Sequence, residues 1–281
     1  MAAPMTAHAH DDPVFARYRV KPGDEAFSLA AIDPQERTCL PDRKTAEEQF
    51  REDVAAIVEI QNAFYACGKK ALLCVFQAMD AGGKDGTVRR VFGPVNPAGI
   101  QVNSFKKPSD EEFAHDYLWR IHKVVPPRGM IGIFNRSHYE DVLVVKVFGL
   151  APAARIEARY EQINAFEKHL AENDVVILKF YLHISKDEQK GRFQERLDEP
   201  HKHWKFNQAD LEVRRRWDDF SAAAELAITR CSTEHAPWFV IPANRNWYRN
   251  ACVARIVRKT IEATEPEWPA LEDDMSGIVI E

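Results

Sequence analysis

Short apolar runs alternate along this chain with longer amphipathic segments. Each run is near-continuously hydrophobic, which is typical of strands buried on both faces of a parallel sheet. Strands that are separated by helices further imply that helices cover both faces of that sheet. The pattern therefore predicts a doubly wound α/β fold with three layers, α/β/α, and strands at 71–77, 99–105, 130–135, 174–184 and 238–243.

Helix signals fill the intervals between these runs. Thr45 and Glu48 have capping-box spacing at the start of a long amphipathic pattern, and Ser109 and Glu112 repeat that spacing further along. Long helices between buried strands agree with the layered arrangement. The predicted helices are 45–69, one that begins at Ser109, 137–148, 152–172, one that begins at Ser185, 207–231 and 246–263.

The regular pattern covers residues 44–265, which we interpret as one domain. Residues 1–43 are rich in Pro, Asp and Ala without periodicity, and predict an N-terminal arm that is laid over the body or partly disordered. A densely charged helical stretch at about 186–230 is the candidate for a separate subdomain. Residues 266–281 form an acidic C-terminal tail that we expect to be peripheral.

Composition places the 281-residue chain among ordinary globular proteins, with 45% hydrophobic and 29% charged residues. No apolar run is near the roughly 20 residues that span a bilayer, and the N-terminus lacks the basic start and apolar block of a secretory signal. We therefore expect a cytoplasmic protein without membrane contact. The net charge of -5 argues against a nucleic-acid partner, so a polyanionic ligand needs a local basic groove.

The first candidate site directly follows the run at 71–77. It places glycines and a lysine between a buried strand and a helix, where backbone N–H groups and the helix dipole attract an anion. Relative to the phosphate-loop pattern G-x-x-x-x-G-K-[ST], Ala78 replaces the first glycine and Asp85 the hydroxyl residue. A plain turn with a solvated lysine is the alternative. The candidate phosphate-binding residues are Gly82, Gly83, Lys84, Asp85, Gly86 and Thr87.

Asp80 is the unusual residue of this loop. A carboxylate beside bound phosphates repels them unless a divalent cation lies between, and Mg²⁺ prefers hard oxygen ligands. We therefore assign Asp80 to Mg²⁺. A turn residue that accepts hydrogen bonds from loop N–H groups is the structural alternative.

The second candidate site ends the run at 130–135. The corresponding strand end of phosphate-loop enzymes usually carries the acid that positions Mg²⁺, yet this chain has the neutral Asn135. Glu140 lies four residues after Arg136, on the same face of a helix, and is therefore a better candidate than Asp141 for the missing charge. The guanidinium of Arg136 suits the phosphoryl oxygens of a transition state. A capped helix with a surface Arg–Glu pair is the alternative.

Three segments together resemble the family-2 polyphosphate kinases, namely 77–86 (QAMDAGGKDG), 134–141 (FNRSHYED) and 241–249 (IPANRNWYR). The resemblance extends in consistent order over roughly residues 45–262. It implies a P-loop-kinase-like core with a helical lid, dependence on Mg²⁺, and phosphoryl transfer between inorganic polyphosphate and nucleotides. It also implies a homo-oligomer, because members of the family usually assemble.

By the same resemblance, the catalytic residues are Asp80, Lys84, Asn135, Arg136 and Glu140. From the chemistry of carboxylates we expect Asp80, with help from Glu140, to hold the metal. Many members have Asp where this chain has Asn135, and the Asn–Arg–Ser version resembles the subgroup that phosphorylates both AMP and ADP. The expected acceptors are adenine nucleotides, with guanine nucleotides left open. Gly82, where members often have Ala, is expected to loosen the loop slightly.

A linear polyphosphate needs a groove of several cationic side chains. The candidates beyond strand ends, where α/β sheets bind ligands, are Arg89, Arg90, Lys106 and Lys107, which we expect to line one channel. The candidates in the lid are Arg196, Lys202 and Lys205, which we expect to contact phosphate when the lid closes. Solvated surface cations and ion-paired helix faces are the alternatives.

Two other functions fit parts of the pattern. A nucleoside-monophosphate kinase that uses ATP as its donor shares the core but leaves Lys106 and Lys107 without a role. A non-catalytic nucleotide or polyphosphate sensor fits a site that has lost its metal acid at Asn135. Neither accounts for all three segments together.

Overall fold

The computed structural model describes residues 11–40 and 42–270. Within these ranges every predicted strand is present, as β1 (Ala71–Gln77), β2 (Ile100–Ser104), β3 (Ile131–Asn135), β4 (Val175–His183) and β5 (Trp238–Pro242). They form one five-stranded parallel sheet in the order β2-β3-β1-β4-β5.

Helices precede, connect and follow the strands. In chain order they are α1 (Pro13–Tyr18), α2 (Arg43–Cys67), α3 (Lys84–Phe92), α4 (Asp110–Ala114), α5 (Trp119–His122), α6 (Val144–Val147), α7 (Ala153–Glu172), α8 (Lys186–Asp198), α9 (Ala209–Arg215), α10 (Trp217–Cys231) and α11 (Asn246–Glu262). Short 3-10 helices occupy Leu29–Ala31, Pro97–Gly99, His138–Asp141 and Pro200–Lys205.

The hydrophobic core has one layer on each face of the sheet. Leu72, Cys74 and Phe76 of β1 belong to the layer that also contains buried residues of α2, α3 and α11. Leu73 and Val75 belong to the opposite layer, with buried residues of α7 and α10. Because successive strand residues point to opposite faces, an uninterrupted apolar strand requires both layers. The predicted three-layer α/β/α fold is confirmed.

The strand order creates a crevice between β1 and β3. After β1 the chain crosses to β2, on the β3 side, and after β3 it crosses back to β4 on the other side of β1. Ligands of open α/β sheets bind beyond the carboxyl ends of the strands at such a reversal. Phe76, near the end of β1, is paired with Asn135, the last residue of β3. The two candidate turns therefore leave the sheet side by side.

Two predicted helices are interrupted. The segment 137–148 contains the 3-10 helix His138–Asp141 and the separate α6, because Leu143 leaves helical geometry with φ of -103° and ψ of -81°. The segment 207–231 divides at Arg216, whose guanidinium donates a hydrogen bond to the carbonyl oxygen of Val147 at 2.8 Å. At the break at Arg216, a tertiary contact that helical periodicity does not contain thus overrides it.

The two predicted capping boxes have different outcomes. The N–H of Thr45 donates to Asp42 at 2.9 Å, so Asp42 caps α2 and the predicted role of Thr45 as the cap is wrong. Ser109 and Glu112 exchange both hydrogen bonds of a capping box, at 2.8 and 3.2 Å, as predicted.

The described part of the N-terminal arm lies on the body. Phe15 of α1 packs edge-on against Phe239 of β5 with ring centroids 4.8 Å apart, and the N–H of Val20 donates to the carbonyl oxygen of Trp238 at 2.8 Å. Residues 1–10 of the predicted arm and 271–281 of the predicted tail lie outside the described residues. In the described ranges, no helix combines the length and the apolar character that crossing a membrane requires.

Candidate active site

The loop between β1 and α3 is tightly packed around its glycines. Gly83 has a φ of +96°, and a Cβ there would lie 2.0 Å from Nη1 of Arg249. A Cβ at Gly82 would lie 2.5 Å from the Cβ of Ala78 and 2.8 Å from the carbonyl oxygen of Met79. This backbone excludes a side chain at both positions. Gly82 therefore belongs to a close turn, in contrast to the slight loosening that we expected there.

Lys84 begins α3 and is 9% exposed. Its ammonium donates a hydrogen bond to the carbonyl oxygen of Ala78 at 3.0 Å and so folds back over the loop. Burial lowers the pKa of Lys84, and the positive charge of Arg136 lowers it further, against the opposing effect of Asp80. Within the described ranges no carboxylate forms a salt bridge with this ammonium, which leaves its charge available to an added anion.

Arg136 joins the two predicted turns. It follows β3 with a φ of 64°, and its N–H donates to the carbonyl oxygen of Phe76 in β1 at 3.0 Å. Its Nη2 lies 2.7 Å from Oδ1 of Asp80, and its Nη1 lies 3.9 Å from Oε2 of Glu140. Burial alone would lower the pKa of Arg136, but Glu140 and Asp80 raise it above its usual value. Asp80, Lys84, Arg136 and Glu140 thus share one site.

The side chain of Glu140 is partly buried, with 19% of its surface exposed. Burial raises the pKa of its carboxyl group, while Arg136 and Lys84 act in the opposite direction. The side-chain amide of Gln77, at the end of β1, donates to Oε1 of Glu140 at 3.0 Å and accepts from the N–H of Ser137 at 3.2 Å. We did not predict this role for Gln77.

Asp80 and Glu140 fit the requirements of a divalent cation. Magnesium in phosphate sites commonly binds one or two carboxylates and takes its other ligands from phosphate and water. The guanidinium of Arg136 lies near both carboxylates, which stabilise its positive charge, so this position is favourable for a cation. In the described part of the chain, no cluster of three or more His, Cys, Asp or Glu could hold a metal, so an ion here would need substrate oxygens.

Asn135 connects the two turns by a second route. Its Nδ2 donates to Oδ1 of Asp85 at 2.6 Å. An aspartate at position 135 would place a carboxylate against that of Asp85, where like charges repel. The neutral amide of Asn135 therefore avoids repulsion by the carboxylate of Asp85.

Asp80, Lys84, Asn135 and Arg136 line a cleft of about 730 Å³, which we call the transfer cleft, whereas Glu140 does not line it. Residues of the segment 186–230 line part of this cleft. The predicted cations that line the cleft are Lys106, Lys107, Arg196, Lys202 and Lys205. Arg196 also contacts Asp210 at 3.4 Å and Lys202 contacts Glu199 at 2.8 Å, so part of the lid charge is balanced within the lid.

Comparison with known proteins assigns this site to a family. Residues 41–269 match the family model described as Polyphosphate kinase 2 (PPK2). The chain belongs to the polyphosphate kinase 2 family. A protein of Meiothermus ruber named AMP/ADP-polyphosphate phosphotransferase is 50% identical over 266 residues, which cover 94% of this chain and 99% of that protein.

Other relatives agree with this assignment to the polyphosphate kinase 2 family. A protein of Rhodopseudomonas palustris named ADP-polyphosphate phosphotransferase is 42% identical over 79% of this chain and 81% of its own length. The crystal structure of polyphosphate kinase 2 from Arthrobacter aurescens is similar to this fold with a TM-score of 0.90 and 42% identity, covering 94% of each chain.

Some predicted residues of this polyphosphate kinase 2 lie outside the transfer cleft. Thr87 is buried, and its hydroxyl donates to the carbonyl oxygen of Gly83 at 3.1 Å. Arg89 and Arg90 line a neighbouring cavity of about 530 Å³ with the loop residue Gly86. Lys106 and Lys107 do not line that cavity. The four strand-end cations thus line two spaces that share Gly86 and Arg249, and their place in a single channel stays a prediction.

Two arginines that we did not predict contact the back of the loop. Arg192 of α8 donates to the carbonyl oxygens of Ala81 at 2.9 Å and Ala243 at 2.8 Å. Arg249 of α11 is 2% exposed and donates to the amide oxygens of Asn246 at 2.8 Å and Asn250 at 3.0 Å. Burial, with the charge of Arg192, lowers the pKa of Arg249 to about 9, so it is protonated at neutral pH. Arg249 is the last residue of the segment 241–249, so the resemblance of that segment was the sequence signal that could have identified it.

An apolar cavity of about 240 Å³ adjoins the transfer cleft. Asp80 and Arg136 line both spaces. The apolar side chains of this cavity are those of Ala78, Met79, Leu143, Val144, Phe148, Ala209, Val213, Phe220 and Ala224. An organic group attached to a phosphate therefore has room beside the site at which Asp80 and Arg136 meet.

A buried ion cluster supports the turn that carries Arg136. Lys179 of β4 is fully buried, and its ammonium lies 2.6 Å from Oε2 of Glu167 and 2.8 Å from the hydroxyl of Tyr139. Nε2 of His138 lies 3.1 Å from Oε1 of Glu167. Burial alone would raise the pKa of Glu167, but Lys179 and His138 lower it below its usual value. His138 and Tyr139 belong to the second segment, 134–141, which is therefore anchored to the core.

Proposed function

We propose that this polyphosphate kinase 2 transfers phosphoryl groups, reversibly, from inorganic polyphosphate to AMP and ADP with Mg²⁺ as its cofactor. The observation that carries the proposal is the meeting of Asp80, Lys84 and Arg136 in one basic cleft beside an apolar cavity. The names of the relatives from Meiothermus ruber and Rhodopseudomonas palustris support the donor and the acceptors.

Neutralisation of the phosphate charge is the main source of transition-state stabilisation in this mechanism. The accepting oxygen belongs to a phosphate that is already ionised near neutral pH, so the reaction needs little help from a general base. Lys84 and Arg136 would contact the transferred group and stabilise the charge on its oxygens. Asp80 and Glu140 would hold Mg²⁺, which would supply further positive charge to neutralise the phosphates. Binding would release Arg136 from its present contact with Asp80.

The nucleoside of the acceptor would occupy the apolar cavity. That cavity ends at Asp80 and Arg136, where the acceptor phosphate must meet the donor. Apolar contacts from Leu143, Phe148 and Phe220 distinguish bases weakly, because they offer few hydrogen bonds. Both adenine and guanine nucleotides stay candidates.

The lid would complete the site when substrates bind. Arg196, Lys202 and Lys205 line the cleft opposite the loop motifs, and their closure would exclude water from the phosphates. Contacts with Asp210 and Glu199 would then be exchanged for contacts with phosphate. A homo-oligomer, a cytoplasmic location and the absence of a nucleic-acid partner stay predictions of the sequence.

The test is to incubate the purified protein with Mg²⁺, long-chain polyphosphate and AMP, without ATP, and to measure ADP and ATP by chromatography. The proposal expects ADP first and ATP later, and no product when the divalent ion is chelated. Product that forms only when ATP is the donor would favour a nucleoside-monophosphate kinase. Tight binding of nucleotide or polyphosphate without any product would favour a sensor.

A further inference from the structure

The loop between β1 and α3 begins with a tight turn. The N–H of Gly82 donates to the carbonyl oxygen of Met79 at 2.9 Å, which closes a β-turn with Asp80 and Ala81 at its centre. Ala81 has a φ of 61°, whereas Asp80 does not have a positive φ. This combination is that of a type II turn, whose third position favours glycine or asparagine. An alanine there lies in the left-handed region, which is unfavourable for a residue with a Cβ.

A type I turn would relieve this strain. The two turn types differ mainly in the orientation of the central peptide, which here joins Asp80 to Ala81, and the third residue of a type I turn has a negative φ. Because alanine prefers a negative φ, the local sequence favours type I. Contacts from outside the turn must therefore hold the type II form.

Two side chains of α8 make such contacts. Nε2 of Gln189 donates to the carbonyl oxygen of Asp80 at 2.9 Å, and Nη1 of Arg192 donates to that of Ala81 at 2.9 Å. The carbonyl group of Asp80 belongs to the central peptide itself, so the Gln189 contact opposes its rotation. Gln189 is fully buried, and its Oε1 accepts from Nη1 of Arg214 at 3.1 Å, which fixes the orientation of the amide.

The start of α8 is in turn anchored to the end of β5. Ser185 caps α8 by accepting from the N–H of Glu188 at 3.1 Å, and its own N–H donates to Oδ1 of Asn244 at 2.9 Å. Arg192 also donates to the carbonyl oxygen of Ala243, the residue after β5, at 2.8 Å. The first two turns of α8 therefore give the loop a fixed support.

The orientation of the central peptide decides which group a ligand meets. In a trans peptide the N–H points away from the carbonyl oxygen, so the N–H of Ala81 points away from Gln189. This N–H has no hydrogen-bond partner among the residues that the structure describes, and Ala81 lines the transfer cleft. A rotated peptide would present the carbonyl oxygen of Asp80 instead. Loop N–H groups attract phosphate, whereas a carbonyl oxygen repels it.

We propose that Gln189 is a positioning residue, which holds the central peptide so that the N–H of Ala81 donates to a phosphate oxygen of the substrate. This role rests on the proposed function, and Gln189 itself does not line the transfer cleft. Without Gln189 a bound phosphate would still select the type II form, but binding would include the cost of rotating the peptide. Loss of Gln189 therefore weakens binding and leaves turnover at saturation intact.

The test is Gln189→Met, alone and together with Ala81→Gly. We expect Gln189→Met to weaken calorimetric binding of long-chain polyphosphate with Mg²⁺ about tenfold and to raise its KM by about the same factor, with kcat within about twofold of the wild type. Glycine adopts a positive φ without strain, so adding Ala81→Gly should restore most of the lost affinity.

Gln194→Met is the matched control. Gln194 is exposed on the same helix and lines neither the transfer cleft nor the apolar cavity, so this variant should bind polyphosphate like the wild type. Gln189→Glu is a second test variant. It keeps the size of the side chain and an acceptor for Arg214 but removes the donor, and it should show a similar loss of affinity.

The double variant separates positioning from general damage. If Gln189 served only the packing of α8, Ala81→Gly would give no recovery and the two losses would add. That result would overturn the proposal, and so would a Gln189→Met variant with normal affinity or one that loses only kcat. Binding is measured without an acceptor nucleotide. A wild-type protein that binds polyphosphate but forms no ADP would therefore contradict the proposed function, while the affinities of the variants would still decide the role of Gln189.

Discussion

Lys84 and Lys179 are both buried lysines at the sheet, but their surroundings differ. The ammonium of Lys179 is 2.6 Å from a carboxylate oxygen of Glu167 and also contacts a hydroxyl and a carbonyl oxygen. The ammonium of Lys84 contacts one carbonyl oxygen, and burial lowers its pKa. A buried charge that is paired with an opposite charge inside the protein is part of the fold. A buried charge without such a partner is satisfied only when a ligand of opposite charge binds. Arg249 belongs with Lys84 in this comparison.

The largest effect on stability should come from Lys179→Met. The substitution would leave the buried carboxylate of Glu167 without its principal cation, which costs about 3–5 kcal/mol in the free energy of unfolding. Urea unfolding measures this loss, and Lys168→Met on the exposed face of α7 is the control. A loss as small as that of the control would mean that Lys179 does not hold the core together.

Arg249→Met should separate binding from stability. We expect kcat/KM for polyphosphate to fall about 10- to 100-fold, because one charge-assisted contact with phosphate is lost. The free energy of unfolding without ligand should change by less than about 1 kcal/mol, since no internal carboxylate loses a partner. Arg155→Met is the exposed control. A large loss of stability with normal kinetics would place Arg249 with Lys179 instead.

Glu140→Gln should give the smallest change in stability, and its sign is informative. The pKa of Glu140 is raised above the ordinary value of 4.5, so ionisation in the folded state costs stability at higher pH. The variant should therefore be more stable than the wild type at neutral pH, and this advantage should shrink as pH falls through the raised pKa towards 4.5. Urea unfolding at a series of pH values measures the difference, and the same variant should lose Mg²⁺-dependent transfer. A variant that is less stable at neutral pH would contradict this.

The strands and the loop motifs were predictable because their signals are local. A fully buried strand must be apolar at every position, as 71–77 is, and glycines beside a lysine have few structural uses. The interruption at Arg216 was not predictable, because the residue that its guanidinium contacts, Val147, is far away in the chain. Arg249 and Lys179 were missed for a related reason. The role of each depends on a residue elsewhere in the chain: Arg249 lies beside Gly83, and Lys179 binds Glu167.

The most direct measurement is the rate of ADP formation by Lys84→Met from polyphosphate and AMP with saturating Mg²⁺, together with its urea unfolding curve. The account predicts a fall of about 1,000-fold in kcat with an unfolding free energy equal to or above that of the wild type. Near-normal turnover would contradict the assignment of this ammonium to the transferred phosphoryl group. A collapse in stability would show that Lys84, like Lys179, serves the fold.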